Sequence, residues 1–128
     1  MIVRVEVSLA RRFVATHGLP EIGIAEPHQH TFEVECGYCA QVDAGAGCER
    51  PLQDIEAELD AVISQIEDKD LNAVLPVPPT AEMLACWILA RLPERWQWAA
   101  ITAYGGYTCE VARSEAQDFL ATLRRSES

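Results

Sequence analysis

Residues 2–17 alternate. Val3, Val5, Val7 and Leu9 stand against Arg4, Glu6 and Ser8, and the odd parity runs on through Phe13 and Ala15 to His17. A period of two marks a strand with one face turned inward, so His17 is expected to end that strand on its inner face. Residues 18–27 (GLPEIGIAEP) carry two glycines and two prolines and read as a loop. A second strand is expected from His28 to about Val42. Its even positions, His28, His30, Phe32, Val34, Cys36 and Tyr38, share one face, while Gln29, Thr31, Glu33 and Glu35 take the other. Residues 43–51 form a turn region.

The period then lengthens. Leu52, Ile55, Leu59, Val62, Ile63 and Ile66 recur at three and four, with Asp54, Glu56, Glu58 and Asp60 opposite, which predicts an amphipathic helix with acidic residues near its start. Residues 67–79 hold three prolines and read as a connection. Thr80 offers an N-cap to a second helix, whose face is Leu84, Trp87, Ile88 and Leu92 and whose end is marked by Pro93. Residues 98–104 and 107–113 flank Gly105-Gly106, a two-residue hairpin signal, and 115–124 suit a short terminal helix. Strand, strand, helix, helix, strand, strand predicts an α+β layer: a four-stranded antiparallel sheet with two helices on one face. Its two open edges invite pairing with neighbouring subunits, so a homo-oligomer is expected.

At 128 residues the chain is expected to be a single domain, residues 1–128, with a real core. The net charge of −10 and the single lysine, Lys69, argue against a nucleic-acid partner, since no basic patch or arm is present. No apolar run reaches the ~18 residues of a membrane span and no cleavable signal pattern opens the chain, so no membrane partner and a cytoplasmic location are expected. The five cysteines form no disulfide framework and are expected to be free thiols; Cys36-Gly-Tyr-Cys39 places its sulfurs on opposite strand faces, poorly set to share a metal.

The chemistry lies with the histidines. The chain has only His17, His28 and His30. A His-x-His on the apolar face of one strand, with a third histidine ending another, is a set of neutral imidazole ligands suited to Zn2+. Three protein ligands and one open position are the arrangement of a catalytic zinc. Any one histidine taken alone is more often an ordinary core or surface residue.

Several landmarks resemble, in order over roughly residues 2–113, the 6-pyruvoyltetrahydropterin synthase and 6-carboxytetrahydropterin synthase family, with its tunnelling fold. Phe13-Val-Ala15-Thr-His17 resembles its F-x-A-x-H, and His28-Gln29-His30 its H-G-H. Leu52-Gln-Asp54-Ile55 stands at its V-x-D-F, Asp68-Lys-Asp-Leu71-Asn72 at its H-x-x-L-N, and Pro79-Thr80-Ala81-Glu82 at its P-T-x-E. The resemblance implies zinc on His17, His28 and His30. It also implies a small-molecule substrate, and an oligomeric barrel of trimers stacked into hexamers with active sites between subunits.

The chain departs from that family where the family does its chemistry. Residues 18–27 lack the family's catalytic cysteine, Ile24 lying about where it belongs; Glu67-Asp68 replaces an Asp-His pair; the pterin-anchoring glutamate falls on Gly105; and Met83 replaces an asparagine. What is expected is a zinc-dependent small-molecule enzyme with altered chemistry. Candidate reactions are a lyase step, an aldol-like step or an aldehyde–amine cyclisation of Pictet–Spengler type. Asp68 or Glu67 would be the acid or base, with Glu110 as a second carboxylate. Thr80, Ala81, Tyr104 and Gly105 are the expected substrate contacts. The alternatives are a non-catalytic, zinc-containing small-molecule-binding relative, or a pterin synthase with a substituted catalytic set.

Overall fold

A computed structural model describes residues 1–125, with the side chain of Glu21 excepted. The four strands form one antiparallel sheet in the order β1-β2-β3-β4. Strand β1 (Ile2–Leu19) and strand β2 (Ile24–Asp43) make a long ribbon, paired from Ile2↔Asp43 to His17↔His28. The expected loop over 18–27 is mostly strand. A single 3-10 turn at Pro20–Ile22 joins the two strands, and Gly23, at φ 83°, closes it in a conformation that favours glycine. Pro27 is accommodated because β2 gains its second neighbour, β3, only from Glu33 onward, and proline is tolerated where a strand edge is open.

Strand β3 (Trp98–Ala103) and strand β4 (Tyr107–Ala112) complete the sheet. The closing pair of their hairpin is Ala103↔Tyr107, so the loop has three residues rather than two. Tyr104, Gly105 and Gly106 all have positive φ (52°, 71° and 143°), and Tyr104 thereby leaves the strand. At the other end of β3 the Trp98 indole lies across Gly37, where a Cβ would come within 2.5 Å of the ring. Cys36-Gly37-Tyr-Cys39 is therefore shaped by packing, and its cysteines are free thiols, as are all five.

Helix α1 (Leu52–Ile63) and helix α3 (Ala81–Arg91) lie on one face of the sheet. A one-turn helix α2 (Leu71–Val74) occupies part of the expected connection, started by Asp70, whose carboxylate accepts from the Asn72 amide. Helix α1 stops three residues short of Ile66, which tight turns still carry into the core. Helix α3 is buried nearly all round because β3 and β4, helix α4 (Gln117–Arg125) and α1 all pack on it. The core holds Phe13, Phe32, Val34, Leu59, Trp87, Ile88, Trp96 and Ile101. At the start of β1 the alternation does not lead to burial. Val3 and Val5 remain 43% and 41% exposed, since the ribbon outruns β3 there, and only Val7 and Leu9 reach the core.

Candidate metal centre

Antiparallel register assembles the centre. His17 pairs directly with His28, and Ala15 with His30, so all three imidazoles leave the same face of the ribbon at its closed end. Their ring centroids are 4.8 Å (His17–His28), 5.2 Å (His17–His30) and 4.4 Å (His28–His30) apart. One nitrogen from each lies within 4.8 Å of the other two. Phe32 stands edge-on to His17 at 5.5 Å and stacks on Phe13 at 5.4 Å, giving the rings an apolar floor.

Segments beyond the sheet hold this end of the ribbon. The Asn72 side chain accepts from the Gly18 amide at 2.7 Å and donates to the Gly18 carbonyl at 2.9 Å. The amides of Asp68 and Thr16 donate to the carbonyls of Val14 (2.7 Å) and Lys69 (3.0 Å). The Thr80 hydroxyl caps α3 by accepting from the Met83 amide, and this capped start brings the Pro79 carbonyl 2.7 Å from His17 Nδ1.

A carbonyl only accepts, so His17 Nδ1 carries the proton and Nε2 presents a bare lone pair. His28 Nδ1 lies 3.0 Å from the Glu26 carbonyl, and the same reasoning frees its Nε2. Orientation of one imidazole nitrogen by a backbone carbonyl is the arrangement that prepares the other for a metal. His17, fully buried, has its pKa lowered by desolvation, against the Pro79 hydrogen bond and with help from His28. His30 is lowered by burial and by the other two histidines. Both therefore favour the neutral, ligating form.

A tetrahedral ion with ~2.0–2.1 Å zinc–nitrogen bonds needs ligand nitrogens ~3.3 Å apart. The ligand atoms lie within 4.8 Å of one another, and His28 and His30 are only half-buried. The donor set fits zinc: three nitrogens, two with fixed tautomers.

Tyr104 completes the mouth. Its left-handed backbone turns the ring to within 4.7 Å of His30, edge-on, and its hydroxyl lies 3.3 Å from His17 Nε2. With Nε2 bare, the hydroxyl is the donor. Burial, then Glu82, raises the Tyr104 pKa, which keeps the proton on. Tyr107 stands beside it and donates to Glu82 at 2.8 Å.

The other expected site residues are placed as follows. Glu67 and Asp68 are exposed on the segment bonded to Val14–Thr16, Asp68 at φ 60°, and neither belongs to the histidine cluster. Glu110 pairs with Ala100 and is exposed on the sheet face away from the histidines, because the inward parity of β4 is that of Cys109 and Val111. Thr80 acts through its cap, Ala81 is buried, and Gly105 sits at the hairpin tip. Sequence reasoning gave no role to Asn72, the Pro79 carbonyl or Glu82. A signal existed for Asn72 and Glu82, which stand in the L-N and P-T-x-E motifs. A backbone carbonyl leaves none.

An antiparallel α+β sheet with a three-histidine cluster that could hold a cation at the end of its long ribbon defines the class. The profile of the family described as 6-pyruvoyl tetrahydropterin synthase matches residues 6–125, and the chain belongs to that family. Among solved structures, 6-pyruvoyl tetrahydropterin synthase of Caenorhabditis elegans superposes with a TM-score of 0.77 at 16% identity, over 86% of this chain and 96% of that one. At that identity the likeness speaks for the tunnelling fold alone. No curated protein matches the chain. Among the described residues no helix is long and apolar enough to cross a membrane.

Proposed function

We propose that this chain is a zinc-dependent small-molecule enzyme whose chemistry departs from that of its family's namesake. The observation that carries the reading is the engagement of His17 Nδ1 by the Pro79 carbonyl. It commits a fully buried imidazole to present Nε2 beside two neighbouring imidazoles, of which His28 is held in the same way.

His17, His28 and His30 would hold the ion, which when bound polarises an oxygen of the substrate and eases loss of a neighbouring proton. Tyr104 would hydrogen-bond that oxygen, since its hydroxyl loses Nε2 as an acceptor once the nitrogen is ligated. Thr80 and Ala81 shape the wall through the start of α3, and Gly105 leaves the hairpin tip open. Asp68 or Glu67 would be the acid or base on the clamped segment. Glu110, facing away, has no role at this centre. The absence of a cysteine in residues 18–27, and Gly105 where a ring-anchoring glutamate is expected, direct the reading away from pterin triphosphates. They favour carbonyl chemistry on smaller substrates: a lyase step, or condensation and cyclisation of an aldehyde with an amine. The long open edge of β1 would pair with a second copy in a trimer or hexamer.

The test is metal analysis of the purified protein, then turnover of a dihydroneopterin triphosphate and of a panel of aldehydes with amines. One zinc per chain in the wild type, none in His28→Ala, and turnover of a carbonyl substrate are expected. A wild type that holds no zinc after dialysis refutes the centre. Stoichiometric zinc without turnover identifies a binding relative, and turnover of the triphosphate identifies a pterin synthase with substituted groups.

A further inference from the structure

A further cavity lies where α4 packs on the end of α3, lined by none of the three histidines. It measures about 660 Å³ and is floored by Ala90, Leu120 and Ala121 and rimmed by Arg113, Arg124 and Glu94. That volume is within the ~300–1,000 Å³ range of small-molecule pockets.

The chain's net charge is −10, and four of its arginines are answered by carboxylates: Arg11 by Glu56 and Asp60, Arg12 by Glu33, Arg50 and Arg95 by Glu58. Among the described residues Arg113 and Arg124 form no ion pair. Half-buried Arg113 is held by three carbonyls, of Trp96 (2.8 Å), Leu89 (2.9 Å) and Pro93 (3.4 Å), through Nε and Nη2. These fix the guanidinium without neutralising it, and among the described residues Nη1 has no hydrogen-bond partner. Burial lowers the Arg113 pKa, and of its charged neighbours Glu94 opposes that while Arg124 adds to it. Positive charge is thus gathered at the rim of an apolar-floored cavity, which Arg125 also lines and Glu94 partly offsets, and the Arg113 guanidinium is rigidly aimed.

We infer that this cavity binds a small organic anion, a carboxylate or phosphate head on a short apolar body, with Arg113 and Arg124 taking the head and Leu120 and Ala121 the body. Guanidinium groups match both heads through paired hydrogen bonds.

Benzoate, phenyl phosphate and the neutral control benzyl alcohol are titrated into the full chain by calorimetry, with amide NMR to place the effect. At least one anion is expected to bind saturably and to move the Leu120 and Ala121 amides, with benzyl alcohol about tenfold or more weaker. Arg124→Glu is expected to weaken the anion about tenfold or more, Ala121→Trp to remove binding by filling the cavity, and His28→Ala to leave it unchanged. Which anion binds more tightly distinguishes a carboxylate ligand from a phosphate ester. Arg113 is left intact because three carbonyls depend on it. Failure of both anions to bind, equal binding of benzyl alcohol, or equal binding by Arg124→Glu overturns the inference.

Discussion

Two polar clusters lie under the same sheet and are built to opposite ends. Beneath the middle of β2, Glu58 of α1 accepts from Arg50 (2.9 and 3.1 Å) and from the Trp96 indole (2.8 Å), with Arg95 at 3.4 Å. Arg50 in turn lies over Tyr38. In that cluster one carboxylate answers two guanidiniums and an indole N–H and, among the described residues, Arg50 Nε is the only buried side-chain polar atom left without a partner. At the ribbon end the protein spends its hydrogen bonds on one side of the His17 and His28 rings. His17 and His28 are fixed through Nδ1, while one nitrogen of each of the three rings lies within 4.8 Å of the others and the Tyr104 hydroxyl meets His17 Nε2. A closed network fastens elements together. An oriented but open one is a binding site.

The largest effect expected is structural. Phe32→Ala removes the fully buried floor shared by His17 and Phe13 and should cost about 3–5 kcal/mol in a urea titration, as well as loosening the metal. A change under 1 kcal/mol would mean that the floor is not packed as described.

Next, Glu58→Ala strands Arg50 and the Trp96 N–H and should cost about 2–3 kcal/mol without altering zinc content. The same cluster sets a pH dependence. Burial pushes the Glu58 pKa up, but Arg50, Trp96 and Arg95 outweigh it and hold the carboxyl below its ordinary value. The unfolded chain therefore takes up this proton first as pH falls. The stabilisation is complete above the ordinary carboxylate range and is lost as pH drops through the folded pKa. The stability–pH curve of Glu58→Gln should be flatter there, and a parallel curve would contradict the assignment.

Asn72→Ala tests the open cluster from outside. Losing both bonds to Gly18 should cost about 1–3 kcal/mol and weaken zinc about 10–100-fold, with no effect on the Glu58 network. Retained affinity would show that the ribbon end needs no clamp. Smallest in stability is Tyr104→Phe, expected within about 1 kcal/mol. Zinc should stay and any turnover should fall, so loss of zinc in this variant would make Tyr104 part of the metal's hold rather than a substrate contact.

Much of the centre was legible because two of its requirements are periodic. The parity of Val3 to His17 and of His28 to Tyr38 puts the three imidazoles on inner faces, and the fold order follows from the change of period at Leu52. The carboxylates were not legible in the same way. Glu110 sits on the parity of the outer face, which only the register Ala100↔Glu110 reveals. Glu67 and Asp68 lie where backbone bonds to Val14 and Thr16 place them, and nothing in their own neighbours specifies that. The hairpin was misjudged by one residue because Tyr104 joins the glycines at positive φ, a conformation that a tyrosine adopts only when its surroundings hold it there.

From the sequence alone came the strand and helix order, the shared face of His17, His28 and His30, and the cap at Thr80, all set by alternation and by backbone chemistry local to a few residues. Tertiary structure decided which part of that face is covered, which imidazole nitrogen is presented and which hydroxyl meets it. Those outcomes depend on groups 62 and 87 residues from His17 in the chain, the Pro79 carbonyl and Tyr104. Pairing over such separations is fixed by the packing of the whole core, and no local pattern encodes it.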